Sequence, residues 1–240
     1  MNAAPTTFTL RRVSVLLRGE AEPIRGWVER SSAGQVARNV VVIVAGAALY
    51  GAAMGAWRAP LQGLFCAVKF PLILLLTALG NALLNAMLAP LLGLNLSLRQ
   101  SLLAVLMSFT IAATILGSFA PLVGFLVWNA PPLSADLASS RSTHAFILLT
   151  HVAVIALAGI AANVRLVQLL RRLSGNGVVA SRVLFAWLAV NLLLGSQLSW
   201  NLRPFIGSPG LPVEFLRQTA LEGNFFEAVL HAARRLLDFI

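Results

Sequence analysis

The chain has 240 residues, of which 58% are hydrophobic and only 11% charged, and its mean hydropathy is +0.84. A soluble domain carries roughly a quarter charged residues and lacks the interior volume to hide so much apolar surface, so a water-soluble fold is excluded and the bilayer is the natural solvent. There are 18 Lys+Arg against 8 Asp+Glu, all but one of the cations are arginine, and most sit at the edges of apolar runs, a placement that suits lipid phosphates and topology control and implies no nucleic-acid partner.

Residues 1–34 form the first segment. They hold Arg11, Arg12, Arg18, Arg25 and Arg30 but no long apolar stretch. Val13 to Leu17 is too short for the apolar core of a signal peptide, so this end is expected to be retained. Phe8 to Leu17 and Ile24 to Val28 mix apolar residues with arginines, which predicts an amphipathic segment lying on the cytoplasmic surface.

Residues 35–200 form the membrane domain. Crossing the hydrocarbon takes roughly 20 helical residues, and five runs qualify. They are Val40 to Trp57, Phe70 to Leu88, Leu102 to Trp128, Phe146 to Val164, and Val183 to Leu198. The third is interrupted by Pro121, which predicts a tilt or kink. The fifth reaches back to Val178 if Arg182 snorkels. Backbone groups in lipid must be satisfied within their own segment, so each run is predicted to be a helix, and the alternation of a barrel strand is absent. The connections carry Pro90, Gly93 and Asn95, then Pro131 and Pro132, then the turn signal Leu173 to Gly177.

With the N-terminus inside, the inner segments carry Arg11, Arg12, Arg18, Arg25, Arg30, Arg38, Arg99, Arg165, Arg171, Arg172 and Arg182. The outer ones carry Arg58, Lys69, Arg141, Arg203, Arg217, Arg234 and Arg235. That bias predicts a cytoplasmic N-terminus and an outer-face C-terminus. Trp57, Trp128 and Trp200 end the odd-numbered runs, so five spans would place all three at one interface.

Residues 201–240 form the third segment. Leu198 to Gln218 is broken by Pro204, Pro209 and Pro212 yet is too apolar for a free tail, so it is predicted to fold as a cap on the outer helix ends. Within it Arg203, Glu214 and Arg217 are able to pair. From Phe225 to Ile240 the apolar residues recur at helical spacing, which predicts a terminal amphipathic helix of about 16 residues. The fold expected is therefore all-α: a polytopic membrane bundle of about five transmembrane helices with a C-terminal amphipathic helix.

Some residues are candidates for function. Ala47, Gly51 and Gly55 repeat at four-residue spacing, which lets helix backbones approach closely, either in self-association or against another helix of the chain. Thr77, Asn81 and Asn85 form a polar stripe on the second run. Amides in hydrocarbon are costly unless paired, so the stripe either lines a polar pathway or hydrogen-bonds to Ser108, Thr110, Thr114 or Asn191. Lys69, the only lysine, stands at the outer end of that run and is a candidate contact for a headgroup or a substrate anion, unless it simply snorkels. Trp200, Arg203 and Arg217 belong to the cap, which is either a docking surface or a lid. His144 and His151 share a face but stand about 10.5 Å apart along the axis, too far to hold one metal ion together. His151 remains a candidate intramembrane polar group, and no cofactor is expected. Cys66, being single, makes no intrachain disulfide, and neither a P-loop, GxSxG nor HExxH is present, so no enzyme activity is expected.

Five spans, a cytoplasmic N-terminal segment and short connections resemble the Yip1-type family of small membrane proteins over roughly Gln35 to Trp200. The stretches VKFPLILLLTALGNALLN and SQLSWNLRPFIGSPGLPVEFLR look like those of uncharacterised bacterial membrane proteins loosely allied to that family. The tyrosine- and glycine-rich signatures of the eukaryotic members are missing, and the only tyrosine is Tyr50, so vesicle-trafficking roles do not carry over. The resemblance implies a non-enzymatic scaffold or accessory protein of a bacterial inner membrane, whose partners are the lipid bilayer and a membrane protein or a second copy of the chain. The alternative is a small transport or channel component with its pathway along the second helix.

Overall fold

The computed structural model describes residues 10–30, 32–133, 137–207 and 209–227. Among these, seven helices follow in order: α1 (Leu10–Arg18), α2 (Ala21–Glu29), α3 (Ala33–Gly55), α4 (Pro60–Leu91), α5 (Leu98–Asn129), α6 (Leu137–Ser174) and α7 (Gly177–Asn201). The protein is an all-α helix bundle. The five helices α3 to α7 are each long and apolar enough to cross a membrane. Each contains one of the five predicted apolar runs, apart from the last two residues of the first, and most reach well past them. At 1.5 Å per residue the 32-residue α4 and α5 are about 48 Å long, longer than the roughly 30 Å of a hydrocarbon layer.

Local chemistry explains where the helices start and stop. Ser32 and Ser97 each accept a hydrogen bond from the backbone N–H of the glutamine three residues on, and Gln35 and Gln100 reciprocate through their side chains. Pro60 occupies the first turn of α4, where no donor is needed. Gly175, at φ +64°, ends α6, and Asn176 accepts from Val178 N–H to start α7 after a two-residue turn. The third connection is thus far shorter than the charged segment Arg165 to Arg182 suggested. Arg165, Arg171 and Arg172 sit on α6 itself, and Arg182 on α7. The helix runs on through Pro121 in α5 and through Pro71 and Pro90 in α4.

α3 is the central element, and glycine makes it so. A Cβ on Gly46 would collide with the Ala113 carbonyl of α5, and one on Gly117 would lie 2.9 Å from the Gly46 Cα. A Cβ on Gly51 would collide with the Cys66 carbonyl of α4, and one on Gly55 would lie 2.5 Å from the Gln62 carbonyl oxygen. Bare backbones therefore touch on two sides of α3. Ala47, fully buried, packs with Tyr50, Phe70 and Leu116. The small-residue stripe Ala47–Gly51–Gly55 is used within the chain.

The amphipathic N-terminal segment packs against protein. Leu16, Ile24 and Val28 are buried with Leu103, Met107 and Leu169 of α5 and α6, and Arg165 donates to the Leu17 carbonyl at 3.0 Å. Its apolar face thus covers one end of the bundle. At the opposite end Trp57 donates to the Pro131 carbonyl and Trp200 to the Glu222 carbonyl, while Trp128 is 89% exposed. Phe225 to Glu227 form a last helical turn, and the remainder of the predicted amphipathic helix, residues 228–240, lies outside the described residues.

Candidate functional site

The site is built on one face of α4. Gln62, Cys66, Lys69, Thr77, Asn81 and Asn85 follow each other at helical spacing, and all six are buried. The polar stripe legible as three residues in the sequence is thus twice as long, and the half nearer the start of α4 holds the cap.

Gln62 donates to the carbonyls of Pro204 at 3.0 Å and Phe205 at 2.6 Å. Cys66 Sγ lies 2.9 Å from the Phe205 carbonyl oxygen. Lys69, fully buried rather than snorkelled, donates to the Pro204 carbonyl at 2.9 Å. Its ammonium is flanked by the rings of Phe215, Phe205 and Phe65 at 4.9, 5.8 and 6.0 Å. Cation–π attraction in this desolvated cage stands in for the carboxylate that a buried lysine ordinarily needs. Arg203 stacks on Trp200 at 3.9 Å and donates to the carbonyls of Trp200, Thr219 and Ala220. Arg217 pairs with Glu214 at 3.6 Å, and Arg58 donates to the Leu211 carbonyl. Residues 202–207 and 209–227 are therefore a folded lid, and prolines 204, 209 and 212 leave carbonyls free of helix for these cations to bind.

Beneath the lid lies a cavity of about 490 Å³. α3, α4, α6 and the end of α7 wall it, and Arg203, Pro204, Phe205 and Arg217 contribute to its roof. His144 and His151 both line it from α6. His144 packs against Trp57, with ring centroids 6.0 Å apart. His151 is 3% exposed, and its Nδ1 shares a 2.8 Å hydrogen bond with the Tyr50 hydroxyl. Its Nε2 has no partner. A second cavity of about 310 Å³ continues deeper, sharing Phe70, Ile73, Ile155 and Ser199 with the first and lined further down by Thr77, Asn163 and Asn191. The space exists because α7 is anchored mainly through its other half: its buried residues are Ala180, Val183 and Trp187, and none follows before its end.

The half of the stripe nearer the end of α4 divides. Asn81 donates to Asn191 Oδ1 and, at 3.2 Å, to the Trp187 carbonyl, so it ties α4 to α7. Thr110 turns elsewhere, donating to Asn39 Oδ1 on α3 at 2.7 Å. Thr77 borders the deeper cavity with its hydroxyl unpartnered. Asn85 is fully buried and has no hydrogen-bond partner for either amide atom. No group of three metal-ligating side chains occurs among the described residues.

Comparisons with family models, curated proteins and solved structures find no match to this chain. The structure brings Lys69, Trp200, Arg203 and Arg217 together at the lid and sets His151 beneath them. It pairs Asn81 with Asn191, and it leaves Asn85 apart from both cavities. Sequence reasoning missed Gln62 and Tyr50. Gln62 precedes the predicted span but continues the 81–77–69–66 register, and that register was the available signal.

Proposed function

We propose that this chain is a non-enzymatic accessory protein of a bacterial inner membrane that works by holding a lipid within the bundle. The observation that carries this reading is the lidded cavity itself. It sits among membrane-spanning helices, its walls are mostly apolar, and its few polar groups converge at one end, the pattern of a small-molecule site. The arginine distribution supports an N-terminus and α1–α2 on the cytoplasmic side and the lid on the outer face. Kinship with the Yip1-type family rests on the five spans and the amphipathic N-terminal segment. Self-association through α3 has little support, because Gly51 and Gly55 face α4 of the same chain. The test is native mass spectrometry of the chain extracted from its membrane in mild detergent. A bound lipid retained when the micelle is stripped is expected, and bare protein alone refutes the proposal.

A transport role is the second reading, favoured by the joined cavities and by Thr77 and Asn191 at the lower one. Against it, Asn81 is closed by Asn191 and the Trp187 carbonyl directly below Thr77.

A further inference from the structure

The lid concentrates cations over an apolar slot. Arg203 and Arg217 line the cavity, and Lys69 on α4 donates to the Pro204 carbonyl beside it. Among the described residues the opposing charge is Glu214, which takes one edge of Arg217, while Glu222 and Glu227 are exposed and no ion pair joins them to any of the three. None of the described residues lining the cavity is a carboxylate. Arg203 donates to three backbone carbonyls and Lys69 to one, whereas Arg217 lines the cavity and is held by a single 3.6 Å ion pair to Glu214, with the Nε2 of His151 as a further unpartnered group on the wall.

The slot also has a length. From His144 under the lid to Ile155 at the junction of the cavities is about 16 Å along α6, half of the roughly 30 Å hydrocarbon thickness and so one leaflet's depth. The deeper cavity extends it to Asn163, with Thr77 on α4 and Asn191 on α7.

We infer that the cavity holds an anionic phospholipid of the leaflet on the lid side, its phosphate under the lid at Arg217 and one acyl chain running down past Ile155 into the space between α4, α5, α6 and α7. The inference rests on the lipid-holding function proposed above and adds the headgroup charge and the path of the chain. A phosphate there faces the guanidinium groups of Arg203 and Arg217, and the Arg217 side chain is only 15% exposed, so the charge pair counts for more than it would at an open surface.

Two substitutions separate head from tail. Arg217→Gln removes the charge, and Arg217→Lys restores it. Gly159→Phe fills the lower slot without a clash at its root, because a Cβ at Gly159 meets nothing within 4 Å. The full chain is offered phosphatidylglycerol, phosphatidylcholine of the same chains, and oleate, and bound lipid is counted by native mass spectrometry. The expected result is retention of phosphatidylglycerol about tenfold over phosphatidylcholine, a difference of about 1.4 kcal/mol. Arg217→Gln should bring that preference to near unity and Arg217→Lys should keep most of it. Gly159→Phe should lose both phospholipids while the thermal unfolding temperature holds. Equal retention of the two phospholipids by the natural chain overturns the headgroup assignment and leaves lipid binding standing. So does retention of oleate with neither phospholipid. Unchanged binding in Gly159→Phe overturns the acyl path, and no retained lipid of any kind overturns both this inference and the function it rests on.

Discussion

Replacing Gly51 or Gly55 by alanine tests the packing on which the whole bundle depends. Ordinary van der Waals contact begins at about 3.4 Å, yet a Cβ on Gly55 would stand 2.5 Å from the Gln62 carbonyl oxygen, 2.7 Å from its carbon and 2.8 Å from Gly63 N. All three are backbone atoms, so no rotamer change relieves the clash, and α3 and α4 must part by about 0.9 Å, the difference between 3.4 and 2.5 Å. A gap of that size forfeits roughly a quarter to a half of each affected dispersion contact. Overpacking of this kind costs about 1–3 kcal/mol. Alanine also returns up to about 1 kcal/mol of helix propensity. The net expectation is a loss of about 0–2 kcal/mol for each of Gly51→Ala and Gly55→Ala, and of about 1–3 kcal/mol relative to a glycine replaced without a clash. Gly124→Ala is the internal control: the same chemical change on α5 meets nothing within 4 Å, so it should be neutral or stabilising. The assay is equilibrium unfolding in mixed detergent micelles, followed by tryptophan fluorescence, with oligomeric state checked by size-exclusion light scattering. If Gly51→Ala and Gly55→Ala fall within about 0.5 kcal/mol of Gly124→Ala, the close approach of α3 and α4 is wrong. If they instead change only the oligomeric state, the stripe faces a second chain.

Asn81→Leu should destabilise by about 1 kcal/mol and couple to Asn191→Leu in a double-mutant cycle, because interhelical hydrogen bonds in membranes average about 0.6 and reach about 1.7 kcal/mol; additive single effects would show that the two amides are not paired. Asn85→Leu should be neutral or stabilising by about 1 kcal/mol in the same unfolding assay, since it removes a buried amide that has no partner, and a clear loss would show that Asn85 is engaged after all. Lys69→Met removes the Pro204 hydrogen bond and the cation from its phenylalanine cage, so limited proteolysis should cut residues 208–223 about tenfold faster, which corresponds to about 1.4 kcal/mol of lid stability. Cleavage at the natural rate would mean that Gln62 and Arg203 hold the lid without it.

The functional site was only half legible. Thr77, Asn81 and Asn85 stand out because amides are rare in an apolar run, whereas Gln62 and Cys66 lie among residues that read as an ordinary helix start. Their importance comes from Pro204 and Phe205, more than 130 positions away, whose carbonyls they meet. The glycines show the same limit. Spacing identified Gly51 and Gly55 as a close-packing face but left open whether the partner was another chain, and the Gln62 and Cys66 carbonyls answer that. Gly46 and Gly117 make the equivalent contact with α5, each as the single glycine its own helix contributes to that crossing, so no paired-glycine spacing announces it.

What the sequence alone determined is the set of membrane-crossing helices and the break in helix after Trp200. Transfer from water to lipid is a free energy summed over one continuous segment, so five long apolar runs suffice to place five spans, and prolines 204, 209 and 212 stop the last of them from continuing. What only the tertiary structure decided is which polar groups answer one another and where space is left between helices. Asn81 finding Asn191, α1–α2 covering α5 and α6, the lid folding back on Gln62 and Lys69, and the cavity beneath it all depend on the relative placement of segments. Inside a bilayer every helix is equally at home in lipid, so hydropathy is indifferent to that placement, and contact geometry and hydrogen-bond pairing settle it.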